Sequence, residues 1–366
     1  MFDWRGRLQK LAVFCQEQQL DALVISSPVN IRYLTGFAGS AGLLVATRAD
    51  HRLLTDGRYD AFVRDEIAAG RIAPITLERV EARYDLTLAA TLARLQPQRI
   101  GFEAEQVTVA TLGRWQEPDP RAAWVSTTQL VERMRLVKDA SELDVLRRGG
   151  RALSGVARSL AQWVRAGRRE REIARDIDLG LERAGFERPA FDTIVASGPN
   201  SAYPHARPTD RALGQGDPVV LDFGGVLDGY CVDLTRMAAV GEPSTAVRNL
   251  YSAVRDAQDA ALQAVAAGVR GSDVDAAARQ VLDARGLGAA FSHGTGHGLG
   301  LEVHEAPRLA RSASGAPDVL EAGMVCTIEP GAYVDGVGGV RLEDDVVVTL
   351  GGSELLTDAP RDLLLV

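Results

Sequence analysis

The sequence predicts two domains, an α/β domain followed by an α+β domain built from two pseudo-equivalent halves. Three observations carry that reading. The chain has 366 residues, and domains of ~100–200 residues make two the natural number. The first third alternates short apolar runs with helical patterns, which points to an α/β unit around a small mixed sheet. Beyond about residue 140, the order helix, helix, irregular stretch, hairpin occurs twice. The two domains are read as residues 1–133 and 134–366.

In the first domain, residues 21–26 (DALVIS), 42–47 (GLLVAT) and 52–55 have the apolar, β-branched character of strands. Residues near 60–69, 86–95 and 109–116 repeat apolar positions at helical spacing. The segment 116–121 (QEPDPR) reads as a turn. The boundary falls near 131–138. After it, Ser141 with Asp144 three residues on is expected to cap a long helix. A second helix, about 169–184, ends at Gly185, which suits a left-handed C-cap. An irregular stretch to about 216 follows, then a hairpin around Leu227-Asp228. In the second half, a helix over about 244–267 precedes one opening at Ser272, with Asp275 as its reciprocal cap, and running to Gly286. A Gly/His-rich stretch and a hairpin over 324–349 complete the repeat.

Composition excludes several classes. Hydrophobic residues are 46% and charged residues 25%, which is globular rather than disordered. The net charge of −8 argues against a protein that coats nucleic acid, since phosphate binding needs a positive surface. Three scattered cysteines, Cys15, Cys231 and Cys326, form no disulfide framework. Their sparseness fits a reducing, cytoplasmic setting. The N-terminal MFDWRGRLQKLAVFCQEQQ is an amphipathic helix interrupted by charge rather than a signal peptide. No apolar run reaches the ~18 residues a membrane span needs.

Chemistry concentrates in the second domain. In PVVLDFGGVLDGYCVDLTRM (218–237), Asp222 and Asp233 sit on the two arms of the expected hairpin. With Leu227-Asp228 as the turn they face each other; with Asp228-Gly229 they are diagonal neighbours. Either register leaves them on one sheet face. Two buried carboxylates repel unless a cation lies between them, so a metal pair fits. A solvent-facing hairpin carrying two ordinary acids fits the pattern equally well. SHGTGHGLGLEVHE (292–305) holds His293, His297 and His304, three of the chain's five histidines. Its alternating glycines let backbone pass close to a ligand. A phosphate loop is excluded because no strand-to-helix transition with the right glycine spacing occurs. Glu329 ends an apolar strand in VCTIEPGAY, and Arg341, Glu343 and Asp345 are expected on one face of GVRLEDDVVV, with Asp344 on the other. Together these acids and His297 describe an oxygen-rich metal site. His205, in YPHARP, is a loop histidine that is weak evidence by itself. Cys231 is expected to face away from Asp233.

With those residues laid out, the second domain resembles the pita-bread metallopeptidases, which include methionine aminopeptidase, Xaa-Pro dipeptidase (prolidase), Xaa-Pro aminopeptidase (aminopeptidase P) and creatinase. The family's five ligands match Asp222 in VLDFGG, Asp233 in CVDLTR, His297 in HGTGHGLG, Glu329 in TIEPG and Glu343 in RLEDD. The resemblance implies a binuclear centre, with Asp222 on one ion, Asp233 and Glu343 bridging, and His297 and Glu329 completing the other. Mn(II) suits that ligand set best, with Co(II), Zn(II) or Fe(II) as alternative occupants. The resemblance also assigns His304 to the carbonyl oxygen of the scissile bond and His205 to the leaving group. It places His293 against proline, Arg341 in support of the site and product, and the proton shuttle on Glu329. The implied reaction is attack by a metal-bridging hydroxide.

The first domain is creatinase-like. NIRYLTGFAGSAG (30–42) followed by LTDGRY (54–59) resembles the N-terminal domain of Xaa-Pro peptidases, closest to the small aminopeptidase P type. Methionine aminopeptidases lack this domain, and creatinase lacks the complete ligand set. The implied activity is therefore an Xaa-Pro aminopeptidase acting on proline-containing peptides, with prolidase as the alternative. A non-catalytic peptide-binding module on the same fold is the remote one. The resemblance further implies a homodimer or homotetramer, and no nucleic-acid or membrane partner.

Overall fold

The computed structural model describes residues 2–311 and 319–366. Two compact units divide at Arg135 and Leu136. The first is an α/β domain around a six-stranded mixed sheet, ordered Thr76–Val80, His51–Asp56, Leu43–Thr47, Ala22–Ile25, Arg99–Glu103 and Ala123–Thr127. Ala22–Ile25 is its centre, antiparallel to Leu43–Thr47 and parallel to Arg99–Glu103, and all four of its residues are buried. The helices Asp60–Ala68, Tyr84–Leu95 and Val109–Gln116 form where apolar spacing indicates. The helix Pro28–Thr35 was not expected from periodicity. Ser27 caps it and proline occupies its first turn, which is start chemistry rather than an amphipathic pattern. The outer strands Thr76–Val80 and Ala123–Thr127 also escape a periodicity reading, because each is only partly buried.

The second unit has the α+β pita-bread architecture, its described residues forming helix pairs, two five-stranded sheets and a two-stranded one. In its first half the helices Ala140–Arg158 and Glu170–Arg183 precede the long hairpin of Pro218–Leu227 and Tyr230–Ala239. The first helix starts two residues earlier than expected. Asp139, not Ser141, is its cap, accepting the Ser141 and Glu142 N–H groups at 2.9 Å, while Glu142 returns a bond to the Asp139 N–H. The hairpin turns on Asp228-Gly229, both at positive φ (49° and 85°), which a two-residue primed turn requires. Asp222 therefore pairs with Thr235 and Asp233 with Gly224, so the two aspartates are diagonal neighbours on one face. Cys231, two residues before Asp233, lies on the same side of its strand, contrary to expectation, because side-chain direction repeats every second residue.

In the second half, Thr245–Ala264, capped by Ser244, and Gly271–Ala284 pack an apolar face on Cys326, Ile328 and Val346. Asp275 does not cap its helix. It is buried, paired with Arg279 at 2.6 Å, and accepts the Thr295 N–H and hydroxyl at 3.0 and 2.9 Å. The expected single hairpin over 324–349 is two ladders: Val325–Ile328 pairs with Asp344–Thr349, and Gly331–Val334 with Gly338–Arg341. The break at residues 342–343 resets the alternation. Arg341 and Glu343 face the cavity described below, whereas Asp345 does not. It lies under the long hairpin and accepts the Asp233 N–H at 2.9 Å. Asp344 pairs with the buried Arg236 at 2.6 Å.

Candidate metal centre

One cavity of about 300 Å³ in the second unit is lined by the nine residues to which the resemblance gives a role. The long hairpin presents Asp222 and Asp233, both buried. The short strand Gly296–Gly298 presents His297 between its neighbours Glu305–Leu309 and Val325–Ile328. Glu329 follows the last residue of Val325–Ile328, and Glu343 occupies the break between ladders. His205, His293 and His304 come from irregular segments, and Arg341 ends the strand Gly338–Arg341.

Local hydrogen bonds orient these groups. His297 Nδ1 lies 3.1 Å from the Gly298 carbonyl. A carbonyl only accepts, so Nδ1 carries the proton and Nε2 keeps a free lone pair, the form a metal ligand needs. That Nε2 is 3.6 Å from Glu329 Oε1. Burial, reinforced by His304, lowers the His297 pKa to about 4, so the ring stays neutral at ordinary pH. The Thr235 hydroxyl donates to Glu343 Oε2 at 2.6 Å, and the Leu234 N–H to Asp233 Oδ1 at 2.8 Å. Arg341 donates to Asp222, to the Thr235 hydroxyl at 3.2 Å and to the Tyr333 hydroxyl at 2.6 Å. The Tyr333 hydroxyl proton then points to His293 Nε2 at 3.0 Å, because His293 Nδ1 donates to Gly294 O at 2.8 Å.

The electrostatics call for cations. Burial, and then repulsion from Glu343 and Asp222, raises the Asp233 pKa well above the carboxylate range. Burial followed by Glu329 and Asp222 does the same to Glu343. Burial pushes Glu329 up to about 8, with Arg341 opposing the shift. Asp222 Oδ1 is buried with no hydrogen-bond partner among the described residues, an arrangement that costs free energy unless something positive fills it. Donor atoms of Asp233, His297 and Glu343 all lie within 4.8 Å of one another. Four carboxylates and one neutral imidazole match, in charge and donor type, a pair of borderline divalent ions. The residues present therefore fit the metal pair that the sequence implies.

Several residues that shape the cavity were not singled out in the sequence. Thr235 and Tyr333 act through hydrogen bonds that only the folded chain creates. Arg236 holds the Glu343 carbonyl at 2.6 Å from the far side of the sheet. Phe191, Asp192 and Arg207 line the opening. The last two follow no spacing rule, and only their nearness to His205 or to the apolar strand Ile194–Ser197 marks them.

Both parts of the chain are similar to known proteins. Residues 144–350 match metallopeptidase family M24, and residues 7–137 match the creatinase/prolidase N-terminal domain. The uncharacterized peptidase YqhT of Bacillus subtilis is 35% identical over 98% of this chain and 99% of its own. The Xaa-Pro dipeptidase of Pyrococcus furiosus is 31% identical over 98% of this chain and 100% of its own. Among solved structures, the Xaa-Pro dipeptidase from Bacillus anthracis superimposes with a TM-score of 0.93 at 34% identity, covering 100% of both chains. The X-Pro aminopeptidase from Thermotoga maritima gives 0.87 at 34% identity, covering 95% of this chain and 98% of that one. With the candidate ligands lining one cavity and both domains matched, the chain belongs to the M24 metallopeptidases, the pita-bread family, of the kind that carries a creatinase/prolidase N-terminal domain.

Proposed function

We propose that this chain is a metal-dependent exopeptidase that hydrolyses the bond between an N-terminal residue and a following proline. The observation that carries the reading is the convergence of Asp222, Asp233, His297, Glu329 and Glu343 on one cavity. Two divalent ions, Mn(II) the best suited, would be held by those five residues. What such ions supply when bound is Lewis acidity and a nucleophile drawn from water at neutral pH.

The chain's own residues have distinct roles in this reading. His304, at the exposed edge of the cavity, has its pKa lowered by burial and by Arg308. It would thus present a neutral N–H to the carbonyl oxygen of the scissile bond as negative charge develops there. Glu329 would take the proton of the nucleophile and return it to the leaving nitrogen. An amide nitrogen leaves only as a protonated amine, so a proton must be delivered to the proline nitrogen for departure. His205 stands at the leaving-group side. His293, its Nε2 fixed by Tyr333, would offer a flat surface to the proline ring. Arg341 keeps Asp222 oriented and would support the released carboxylate.

Names of both kinds occur among the similar proteins, Xaa-Pro dipeptidase and X-Pro aminopeptidase. The motifs at 30–42 and 54–59 favour the aminopeptidase reading. The test is a paired hydrolysis assay of the Mn(II)-loaded protein on Ala-Pro and Ala-Pro-Ala. Release of alanine from either, abolished by a chelator and restored by Mn(II), is the expected result. Absence of cleavage of both by metal-loaded protein would end the proposal.

A further inference from the structure

The segment that presents His304 has no regular structure. Residues 299–304 join the strands Gly296–Gly298 and Glu305–Leu309, whose pairing shifts register between His297 and Gly298. His304 is exposed, and among the described residues its ring makes no hydrogen bond. It meets the His297 ring edge-on, with centroids 4.3 Å apart. A side chain held so lightly takes its position from the backbone beneath it. An oxyanion donor, however, acts only where it is already set at hydrogen-bonding distance. The segment itself must therefore be fixed.

A buried ion pair supplies that fixing. Lys138 Nζ donates to Glu305 Oε1 at 2.7 Å, and Glu305 is the residue after His304. The Lys138 side chain is 1% exposed and that of Glu305 10%. Neither residue lines the cavity, so the pair can act on the reaction only through a neighbour. Lys138 belongs to a rigid frame. Its N–H donates to Gly323 O at 2.9 Å, Val137 bridges Met324, and the Gly323 N–H donates to Val348 O at 2.9 Å. The ammonium also reaches Leu136 O at 3.4 Å. The Glu305 carboxylate crosses the segment at Gly300, where a Cβ would lie 2.5 Å from Oε1. The Gly300 carbonyl in turn accepts the Cys231 N–H at 2.7 Å. The hairpin that carries Asp233 thus grips the segment at Gly300, and the sheet that leads to Glu329 grips it through Lys138 and Glu305. Taking an ammonium and a carboxylate out of water is costly, and an apolar pair would hold the fold as well. What the charged pair adds is direction, because a hydrogen bond at low dielectric is strong in one geometry.

We propose that Lys138, acting through Glu305, is a positioning residue for His304, fixing the imidazole where it meets the carbonyl oxygen of the scissile bond. This rests on the role given to His304 above.

The experiment uses the full-length Mn(II)-loaded protein with the Ala-Pro and Ala-Pro-Ala assay. Lys138→Met should lower kcat by about 10- to 100-fold, since a misplacement of about 1 Å costs on the order of 10²-fold. KM and Mn(II) content should stay close to those of the parent, because His304 is assigned to the transition state alone. Glu305→Gln keeps the shape and one hydrogen bond of the pair, so it folds even where Lys138→Met does not, and should show a smaller loss of the same kind. The deciding measurement is the double variant. Once His304→Ala is in place, Lys138→Met or Glu305→Gln should cost kcat nothing more, since the side chain they position is gone. A loss that multiplies that of His304→Ala, or one that falls on KM or on Mn(II) content, would mark a general structural role and overturn the proposal. So would parental kcat in every variant that folds. Absence of cleavage of both peptides by the parent would instead overturn the Xaa-Pro reading and take this proposal with it.

Discussion

At the scale of single residues, the proposed roles separate by what each side chain touches. Glu329 both faces His297 and is the proposed proton carrier. Glu329→Gln should abolish turnover and also lower metal content, read by steady-state kinetics and metal analysis of the purified variant. His304 touches no proposed ligand by hydrogen bond. Its ring lies 4.3 Å, centroid to centroid, from that of His297. His304→Ala should reduce kcat by about 10²- to 10³-fold, the usual cost of an oxyanion donor, with metal content near that of the parent. A variant that kept the parental rate would remove His304 from the reaction. Buried Arg236 offers a contrast. Its bonds to Asp344, Glu343 O, Ala359 O and Pro360 O lie on the side of the sheet away from the cavity. Arg236→Met leaves Asp344 as an uncompensated buried charge. It should cost about 3–5 kcal/mol in chemical denaturation.

Among the elements, the short strand Gly296–Gly298 depends most on a single residue type. A Cβ at residue 296 would overlap the Thr327 carbonyl, whose strand lies directly alongside. Gly296→Ala must push the strand outward and carry His297 with it. Overpacking of this kind costs about 1–3 kcal/mol. The same variant should bind Mn(II) more weakly in calorimetric titration, because the imidazole no longer meets Asp233 and Glu343. Unchanged affinity would show that His297 is dispensable to the ion. The Asp275 carboxylate fixes the approach to this strand through Thr295, which explains why a helix residue expected as a cap is buried instead.

For the whole molecule, the metal-free site is a store of strain that pH reveals. Glu329 is pushed up to about 8 in the folded chain from 4.5 unfolded, by burial. Asp233 and Glu343 shift in the same direction. Groups with raised folded pKa values contribute stability below their unfolded values and lose it as pH rises through the folded ones. The buried His293 and His297, lowered to about 4, act oppositely, losing stability as pH falls from 6.5 toward 4. The carboxylates therefore act alone between pH 6.5 and about 8. In that window the Tm of metal-free protein should fall with rising pH. Saturating Mn(II) should remove the fall and stabilise by about 2.7 kcal/mol at 100 times Kd. A metal-free Tm that is flat or rising over this range would mean that the carboxylates are already compensated. Among the described residues no helix is long and apolar enough to cross a membrane.

The sequence alone determined the identity and chain order of the candidate ligands, the two-domain class and the repeat in the second domain. The ligand set rests on the family resemblance, and local rules support part of it. Alternation places Asp222 and Asp233 on a common face in either register, and Gly-rich context marks His297. Tertiary structure decided the rest. The turn at Asp228-Gly229 set the register, since both central positions need positive φ. The break at 342–343 separated Asp345 from Glu343, which uninterrupted alternation would have kept together. Arg341 reached Asp222 across 119 residues, and Glu170 pinned the loop of His205 and Arg207 from a helix 39 residues before Thr209. No local pattern encodes such pairings, because burial and charge act between segments only after the sheets have brought them face to face.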